Sequence, residues 1–429
     1  MHIRHGPADM LRKIAPLPLL LLLALAVSCG ESAENGVELS GEGERRNVVL
    51  VLLESTRASA VTPYNRDLAT TPYLDELSRR SLMAETAYST VPSTSKSLIA
   101  AECGTEPPLA MQIPEMLDSG GLPRPCLAEL LREEGYNTVF YENATEEFED
   151  RGELVKSFGY EDFYPLEYLE EEGYTEGFER ANYFGYEDDV LLQPSREWLR
   201  ENSDEPFLAT YETITPHDQY LAPDRYGHRD FSEDDEFDRY LNSVRYLDFF
   251  VKNLMDQYRE LGLYEDTVFV FYGDHGEGFG EHGMSGHGHI LHEEGTRVPL
   301  MVHDPGRFEG GERVRQPVSQ LDISPTVLDL LGYEVPGEYP GVSLLRPPGE
   351  QARERALNFS CAEDEQCLAR LEGGEKYIHN FGEPAELYDL TEDPQEENDL
   401  AGNLSQAEKE ERRSELLRWR EQNAGLYGE

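Results

Sequence analysis

The sequence predicts an α/β domain built on a mostly parallel central sheet, followed by a small C-terminal subdomain. Three observations predict it. Short, continuously apolar runs of the kind that form strands buried on both faces recur along the chain. Helical stretches alternate with them, which is the order of a sheet covered by helices on both sides. Two of the strongest runs close on polar side chains, Glu54 and the pair Asp274–His275, and ligands of open α/β sheets sit at the carboxyl ends of the strands.

Taken in order, Asn47 to Leu53 reads as the first buried strand, ending at Glu54. Thr71 to Leu77 opens a helix, with Pro72 early and Asp75 and Glu76 in the first turn. Leu127 to Glu134 is amphipathic; Gly135 stops it, and Tyr136 to Tyr141 forms a second strand. Pro206 to Tyr211 is a third, Tyr240 to Leu261 a long helix, Thr267 to Tyr272 a further strand, and Val298 to Val302 another. Between Glu146 and Asp189 the chain is acidic and Tyr-rich, with Phe-Gly-Tyr-Glu-Asp at Phe158 and again at Phe184. Two copies of five residues make no repeat architecture, and this stretch is expected to be an insertion over the active-site face. The main domain is expected to span 47–345 and the C-terminal subdomain 346–429, with a charged helix from about Ser405 to Asn423.

Asp and Glu number 86 against 37 Lys and Arg, a formal net charge of −49. Such a surface repels nucleic acid and anionic lipid, whose recognition needs clustered basic residues. Any site for an anion must therefore be locally inverted, most simply by a metal cation. Arg4, Arg12 and Lys13 precede an apolar stretch, Ile14 to Val27, that is short for a bilayer span. Leu25 to Gly30 (LAVSCG) resembles a bacterial lipobox, with Cys29 as the acylated residue. Residues 1–29 are thus expected to be a lipoprotein-type signal peptide and 30–46 a flexible tether, giving an exported, membrane-anchored lipoprotein facing the periplasm or cell exterior. An exported chain with four remaining cysteines suggests two disulfides. Among three connectivities, Cys103–Cys126 with Cys361–Cys367 closes the shortest loops.

Glu54, Asp274 and His275 offer two carboxylates and an imidazole, a mixed set that suits Mn²⁺, Mg²⁺ or Zn²⁺. The stretch after Asp274 is unusual on composition alone. Five of the 11 histidines (His275, His282, His287, His289 and His292) fall within eighteen positions, a density that a surface loop does not need.

Six segments carry a resemblance to the sulfatase family of the alkaline phosphatase superfamily. They are Asn47–Arg57 (NVVLVLLESTR), Thr71–Leu77 (TPYLDEL), Gly273–Gly283 (GDHGEGFGEHG), Glu293–Leu300 (EEGTRVPL), Leu321–Gly332 (LDISPTVLDLLG) and Glu386–Pro394 (ELYDLTEDP). The resemblance implies an alkaline-phosphatase-like sandwich with a metal site at the carboxyl edge of the sheet. Sulfatases proper carry a Cys or Ser that becomes formylglycine, in a Cys/Ser-x-Pro-x-Arg motif absent from this sequence. Thr94-Ser95-Lys96-Ser97 is more similar to the nucleophile segment of the branch containing phosphoglycerol and phosphoethanolamine transferases, which use an unmodified Thr.

Carried over residue by residue, the resemblance implies that Glu54, Thr94, Asp274 and His275 hold one divalent metal, Mn²⁺ in preference to Mg²⁺, Zn²⁺ or Ca²⁺, with Thr94 also the nucleophile. Ser93 or Ser95 takes that role if the register differs. His217, in Thr215–Tyr220, is a candidate for binding oxygens of the transferred group, against the plainer reading of a turn histidine. His287 is a candidate leaving-group acid or oxygen donor, with His289 as its alternative. Lys96 is a candidate for offsetting charge on the transferred group, whereas Arg297 supports the following strand. The expected function is hydrolysis or transfer of a phosphate ester, the substrate being small or linked to a lipid or glycan. The alternatives are a sulfuric ester hydrolase and, more remotely, a non-catalytic binding lipoprotein of the same fold.

Overall fold

The strand Asn47–Leu53 is buried along its whole length, and its side chains alternate between two cores. Val48, Leu50 and Leu52 face one, with Leu98, Leu127 and Val327; Val49, Val51 and Leu53 face the other, with Tyr240, Val244 and Leu247. Period-two alternation of an apolar strand between two helical layers is what makes it central. Each such side chain contributes about 1.5–3 kcal/mol when removed from water. The computed structural model describes residues 39–41, 43–337, 339–346, 355–362 and 366–428. The expected signal peptide and its acylated Cys29 lie outside these residues. Among them, no helix is long and apolar enough to cross a membrane. The stretch read as a tether is held against the domain at its carboxyl end: Glu44 N donates to Leu331 O at 2.7 Å and Arg46 pairs with Asp304.

The central sheet has eight strands, in the order Glu312–Val314, Leu82–Ala84, Leu300–His303, Thr267–Gly273, Asn47–Leu53, Phe207–Glu212, Asn137–Glu142 and Asp162–Tyr164. All pairings are parallel except those of Leu300–His303, which runs against both neighbours. The expected strand Val298–Val302 is in fact split at Pro299. Arg297–Val298 pairs with Ala87–Tyr88 in a small separate sheet, and Leu300 starts the strand of the main sheet. A proline has no N–H for the ladder, so the break falls there. The acidic stretch Glu146–Asp189 is likewise not wholly an insertion. Its helix Arg151–Phe158 and strand Asp162–Tyr164 continue the sheet at its edge, burying Leu154, Val155 and Phe158.

The long helix runs Asp235–Leu261, a turn earlier than expected. Its start is set by Asp234, whose side chain accepts from Glu236 N and Phe237 N, and its end by Gly262 in the left-handed region. Both expected disulfides are present. Beyond Leu357 a four-stranded antiparallel sheet forms in sequence order, and the helix Gln406–Leu426 packs Leu416 and Trp419 over Leu368, Tyr377 and Leu387. This subdomain is bonded to two loops of the main domain. Ser360 N donates to Thr90 O at 3.1 Å and Ala362 N to Gly288 O at 2.8 Å.

Candidate active site

Four strands of the parallel sheet end in carboxylates at one edge. Glu142 and Glu212 close neighbouring strands and are paired in register, Glu54 follows the next, and Asp274 follows the one beyond. All four are buried. Glu54 and Asp274 are aimed by the residue between them in space. Ser55 adopts a left-handed backbone (φ 48°), which costs energy for a non-glycine residue and is held by its surroundings. In that conformation Ser55 N donates to Asp274 Oδ1 at 2.8 Å and Ser55 Oγ to Glu54 Oε1 at 2.7 Å. Tyr240 of the long helix donates its hydroxyl to Ser55 O at 2.8 Å, locking the turn from beneath.

His275 completes the group. Its Nδ1 lies 2.9 Å from Gly276 O, so a proton held there leaves Nε2 with its lone pair free. Gly276 is required, because a Cβ at that position would fall 2.0 Å from Glu294 O. His275 Nε2 lies 3.3 Å from Asp274 Oδ2 and 3.8 Å from Glu54 Oε1. Both His275 Nε2 and Asp274 Oδ2 are buried without a hydrogen-bond partner. Glu54, Asp274 and His275 each offer one ligand atom, all within 4.8 Å of one another. Buried polar atoms left unpaired cost about 1–3 kcal/mol each, so this donor set fits a cation. Burial, then the facing Asp274 carboxylate, pushes Glu54 well above the usual carboxylate range, and burial lowers His275 to about 3. The first shift reflects two carboxylates buried together, and the second leaves His275 a neutral imidazole, the form that binds a metal.

Thr94 is the first residue of the helix Thr94–Cys103, with Ser93 at the cap position. Its hydroxyl donates to Glu54 Oε2 at 3.4 Å, on the carboxylate oxygen that Ser55 leaves free. Ser95 is differently engaged. Its hydroxyl donates to Glu149 and accepts from Arg151 Nη2 at 3.0 Å. Of the other expected residues, His217 lines the same cleft as Thr94 and Glu54, and burial lowers it to about 3. His287 stacks on His275 with ring centroids 4.0 Å apart, and stands 5.6 Å from His217. His289 is exposed in a separate cleft with Met284, Leu291 and the Cys361–Cys367 disulfide. Lys96 is buried, its ammonium donating to Leu109 O at 3.2 Å and Ala362 O at 3.0 Å, so it ties the helix of Thr94 to the C-terminal subdomain.

Three further groups belong to the site and escaped the sequence reading. Arg151, 1% exposed, pairs with Glu142 and Glu212 beneath the cleft. Glu277 accepts from Tyr220 Oη at 3.1 Å, and its other oxygen meets His287 Nδ1 at 2.9 Å. Phe148 and Phe184, from the acidic stretch, form part of the cleft wall. The signal for Glu142 and Glu212 was present, since each ends an apolar strand as Glu54 nearly does. For Arg151 there was none, because a lone Arg at a helix start carries no motif.

The arrangement brings two carboxylates, an imidazole and a hydroxyl together at the ends of neighbouring strands, and comparison with known proteins identifies the family. The family model described as Sulfatase matches residues 46–333, and that described as N-sulphoglucosamine sulphohydrolase, C-terminal, matches 280–422. The chain is 25% identical to an ulvan-active sulfatase of Formosa agariphila, over 91% of this chain and 83% of that one. It is 26% identical to lipoteichoic acid synthase 2 of Bacillus subtilis, over 68% of this chain but only 46% of that one. A solved alkaline phosphatase superfamily protein from Vibrio parahaemolyticus superposes with a TM-score of 0.71 at 20% identity, covering 91% of this chain and 90% of that one. Enzymes of this superfamily are generally dependent on a divalent metal, and the Glu54, Asp274 and His275 group supplies candidate ligands. The chain belongs to the sulfatase family and is an ester hydrolase of the alkaline phosphatase superfamily.

Proposed function

We propose that the ester cleaved is a phosphate ester and that Thr94 is the nucleophile. The observation that carries this reading is the Thr94 hydroxyl, 3.4 Å from Glu54 Oε2, at the edge where Asp274 Oδ2 and His275 Nε2 are buried without partners. Glu54, Asp274, His275 and the Thr94 oxygen would hold a divalent ion, Mn²⁺ in preference to others, which would supply positive charge to acidify the hydroxyl and balance the anion. Thr94 attacks phosphorus, the ester oxygen departs, and water releases the phosphoryl group from Thr94 in a second step. His287, held by Glu277 at 2.9 Å, delivers the proton that the departing oxygen needs. His217, on the cleft wall, binds the non-bridging oxygens.

A second reading, sulfate ester hydrolysis, is favoured by the sulfatases among the relatives. Against it stands a Thr where the formylglycine route needs Cys or Ser. The full chain should cleave p-nitrophenyl phosphate or bis-p-nitrophenyl phosphate faster than p-nitrophenyl sulfate, losing activity to a chelator and regaining it with Mn²⁺. Cleavage of the sulfate alone would sink the phosphoester reading.

We also infer that the enzyme works outside the cytoplasm on a lipid anchor at Cys29, on the strength of the LAVSCG motif and the apolar stretch before it. Acyl chains contribute about 0.8 kcal/mol per buried CH₂. Cys29→Ala should shift the protein from the membrane to the soluble fraction, and a variant that stays membrane-bound would refute the anchor.

A further inference from the structure

Glu277 and His287 stand at the two feet of a hairpin, in which Gly278–Phe279 pairs with Ser285–Gly286. At its tip His282 lies against the C-terminal subdomain, in a left-handed conformation (φ 52°) that costs energy for a residue other than glycine. The residue it meets there, Glu396, is left-handed as well (φ 58°). Two such residues facing one another need other bonds to hold them. Glu396 is fixed by Glu293 N, which donates to its Oε2 at 2.6 Å, and by the buried ammonium of Lys376 at 3.2 Å.

His282 is held through both ring nitrogens. Nδ1 lies 2.8 Å from Glu294 Oε1, and Nε2 lies 3.0 Å from Glu396 O. A backbone carbonyl only accepts, so Nε2 carries a proton. Burial raises Glu294, but its bond to His282 and the backbone outweigh this and leave it below the ordinary carboxylate range, so Nδ1 carries the other proton. The Glu294 hydrogen bond in turn raises His282 to about 9, against the opposing effect of burial. The His292 ring stacks flat on His282, with centroids 3.9 Å and planes 9° apart, and is itself tied through Nε2 to Glu386 Oε2 at 2.8 Å. Tyr388 approaches at 6.2 Å, Asp393 adds a negative charge close by, and on the same turn Glu281 is matched by Arg57 at 2.8 Å.

The outgoing strand of the hairpin is fixed by Phe279, packed against Phe237 and Tyr240. The returning strand Ser285–Gly286 is little buried, so packing contributes little to its course toward His287. Ties to the C-terminal subdomain flank it instead. His282 meets Glu396 O before it, and Gly288 O accepts from Ala362 N at 2.8 Å after it.

We propose that His282 is a positioning residue whose doubly protonated ring ties the tip of this hairpin to the C-terminal subdomain and so aligns His287 in the cleft. This role rests on His287 being the proton donor to the departing oxygen. His282→Asn is the variant of choice, because Asn tolerates the left-handed backbone. In the full chain with Mn²⁺, the gap in denaturation midpoint between parent and His282→Asn should depend on pH. A histidine whose folded value exceeds its unfolded one stabilises fully below about 6.5, and that contribution is lost as pH rises through the folded value of about 9. The gap should thus be widest near pH 6 and close above pH 9, and Glu294→Gln should show the same convergence if His282→Asn fails to fold. A gap independent of pH would overturn the imidazolium. So would a metal equivalent beyond one per chain that His282→Asn removes.

The leaving group separates alignment from mere stability. Departing phenolate needs a proton more than p-nitrophenolate does, so the kcat ratio of p-nitrophenyl to phenyl ester, for whichever acid is cleaved, reports the donor. At pH 7 this ratio should rise about tenfold in His282→Asn, as expected of a displaced acid, and at least as far in His287→Ala. A rise in His287→Ala with none in His282→Asn would overturn the positioning role and leave the proton donor standing. No rise in His287→Ala would sink the donor reading and this role with it.

Discussion

Thr94→Ala is expected to lower kcat for the cleaved ester by about 10⁴-fold or more, the scale seen when a nucleophile is removed while the rest of its machinery stays. The substitution should leave the fold intact. Thr94 is only partly buried at the first position of its helix, and Ala is the best helix former. The fall should therefore appear in kcat with an unchanged melting temperature. Ser95 is a poorer nucleophile candidate, since its hydroxyl is already engaged by Glu149 and Arg151. Ser93 stands at the N-cap position, one residue before the helix, and its side chain makes no capping hydrogen bond. Mass spectrometry of enzyme quenched during turnover should find the phosphoryl adduct on Thr94. An adduct on Ser93 or Ser95, or a Thr94→Ala enzyme within tenfold of the parent rate, would refute the assignment.

How much of this was legible beforehand differs between the sheet and its edge. Asn47–Leu53, Phe207–Glu212 and Thr267–Gly273 announce themselves because a strand buried on both faces must be apolar throughout. Leu82–Ala84 and Glu312–Val314 do not: three residues are too few to show a pattern, and Glu312–Val314 is an edge strand with Glu312 and Arg313 exposed. The Glu54, Asp274 and His275 group could be found because each residue sits directly after a readable strand. Glu277 could not, because its part depends on where the loop brings His287, ten positions further on. The aromatic wall was equally hidden. Phe148 and Phe184 are 36 positions apart and meet only because the helix and strand at 151–164 fold between them. Motif spacing reports neighbours along the chain, whereas this site is assembled from strand ends and from the loops above them.

Arg151→Met should be the most destabilising single change near the site, at about 3–5 kcal/mol at neutral pH. Arg151 and both of its partners are fully buried, and Glu142 has no hydrogen bond to either oxygen, so its compensation is the guanidinium 3.3 Å away. Met retains much of the volume, so the loss reports charge more than packing. Burial already raises Glu142 well above the usual carboxylate range and raises Glu212 as well, with Arg151 the main opposing influence on each. Without Arg151 both would rise further. A carboxyl whose folded value exceeds its unfolded one binds its proton more tightly when folded. Its ionisation therefore destabilises the fold as pH climbs above the ordinary carboxylate value of about 4.5. The deficit of Arg151→Met should accordingly be largest at pH 7–8 and shrink as pH falls toward 5, measured as the difference in denaturation midpoint from the parent at each pH. Arg151→Lys, which keeps the charge but not the planar fork, should recover part of the loss. A deficit independent of pH would mean that Arg151 serves the site by packing, and that Glu142 and Glu212 are already neutral in the native enzyme.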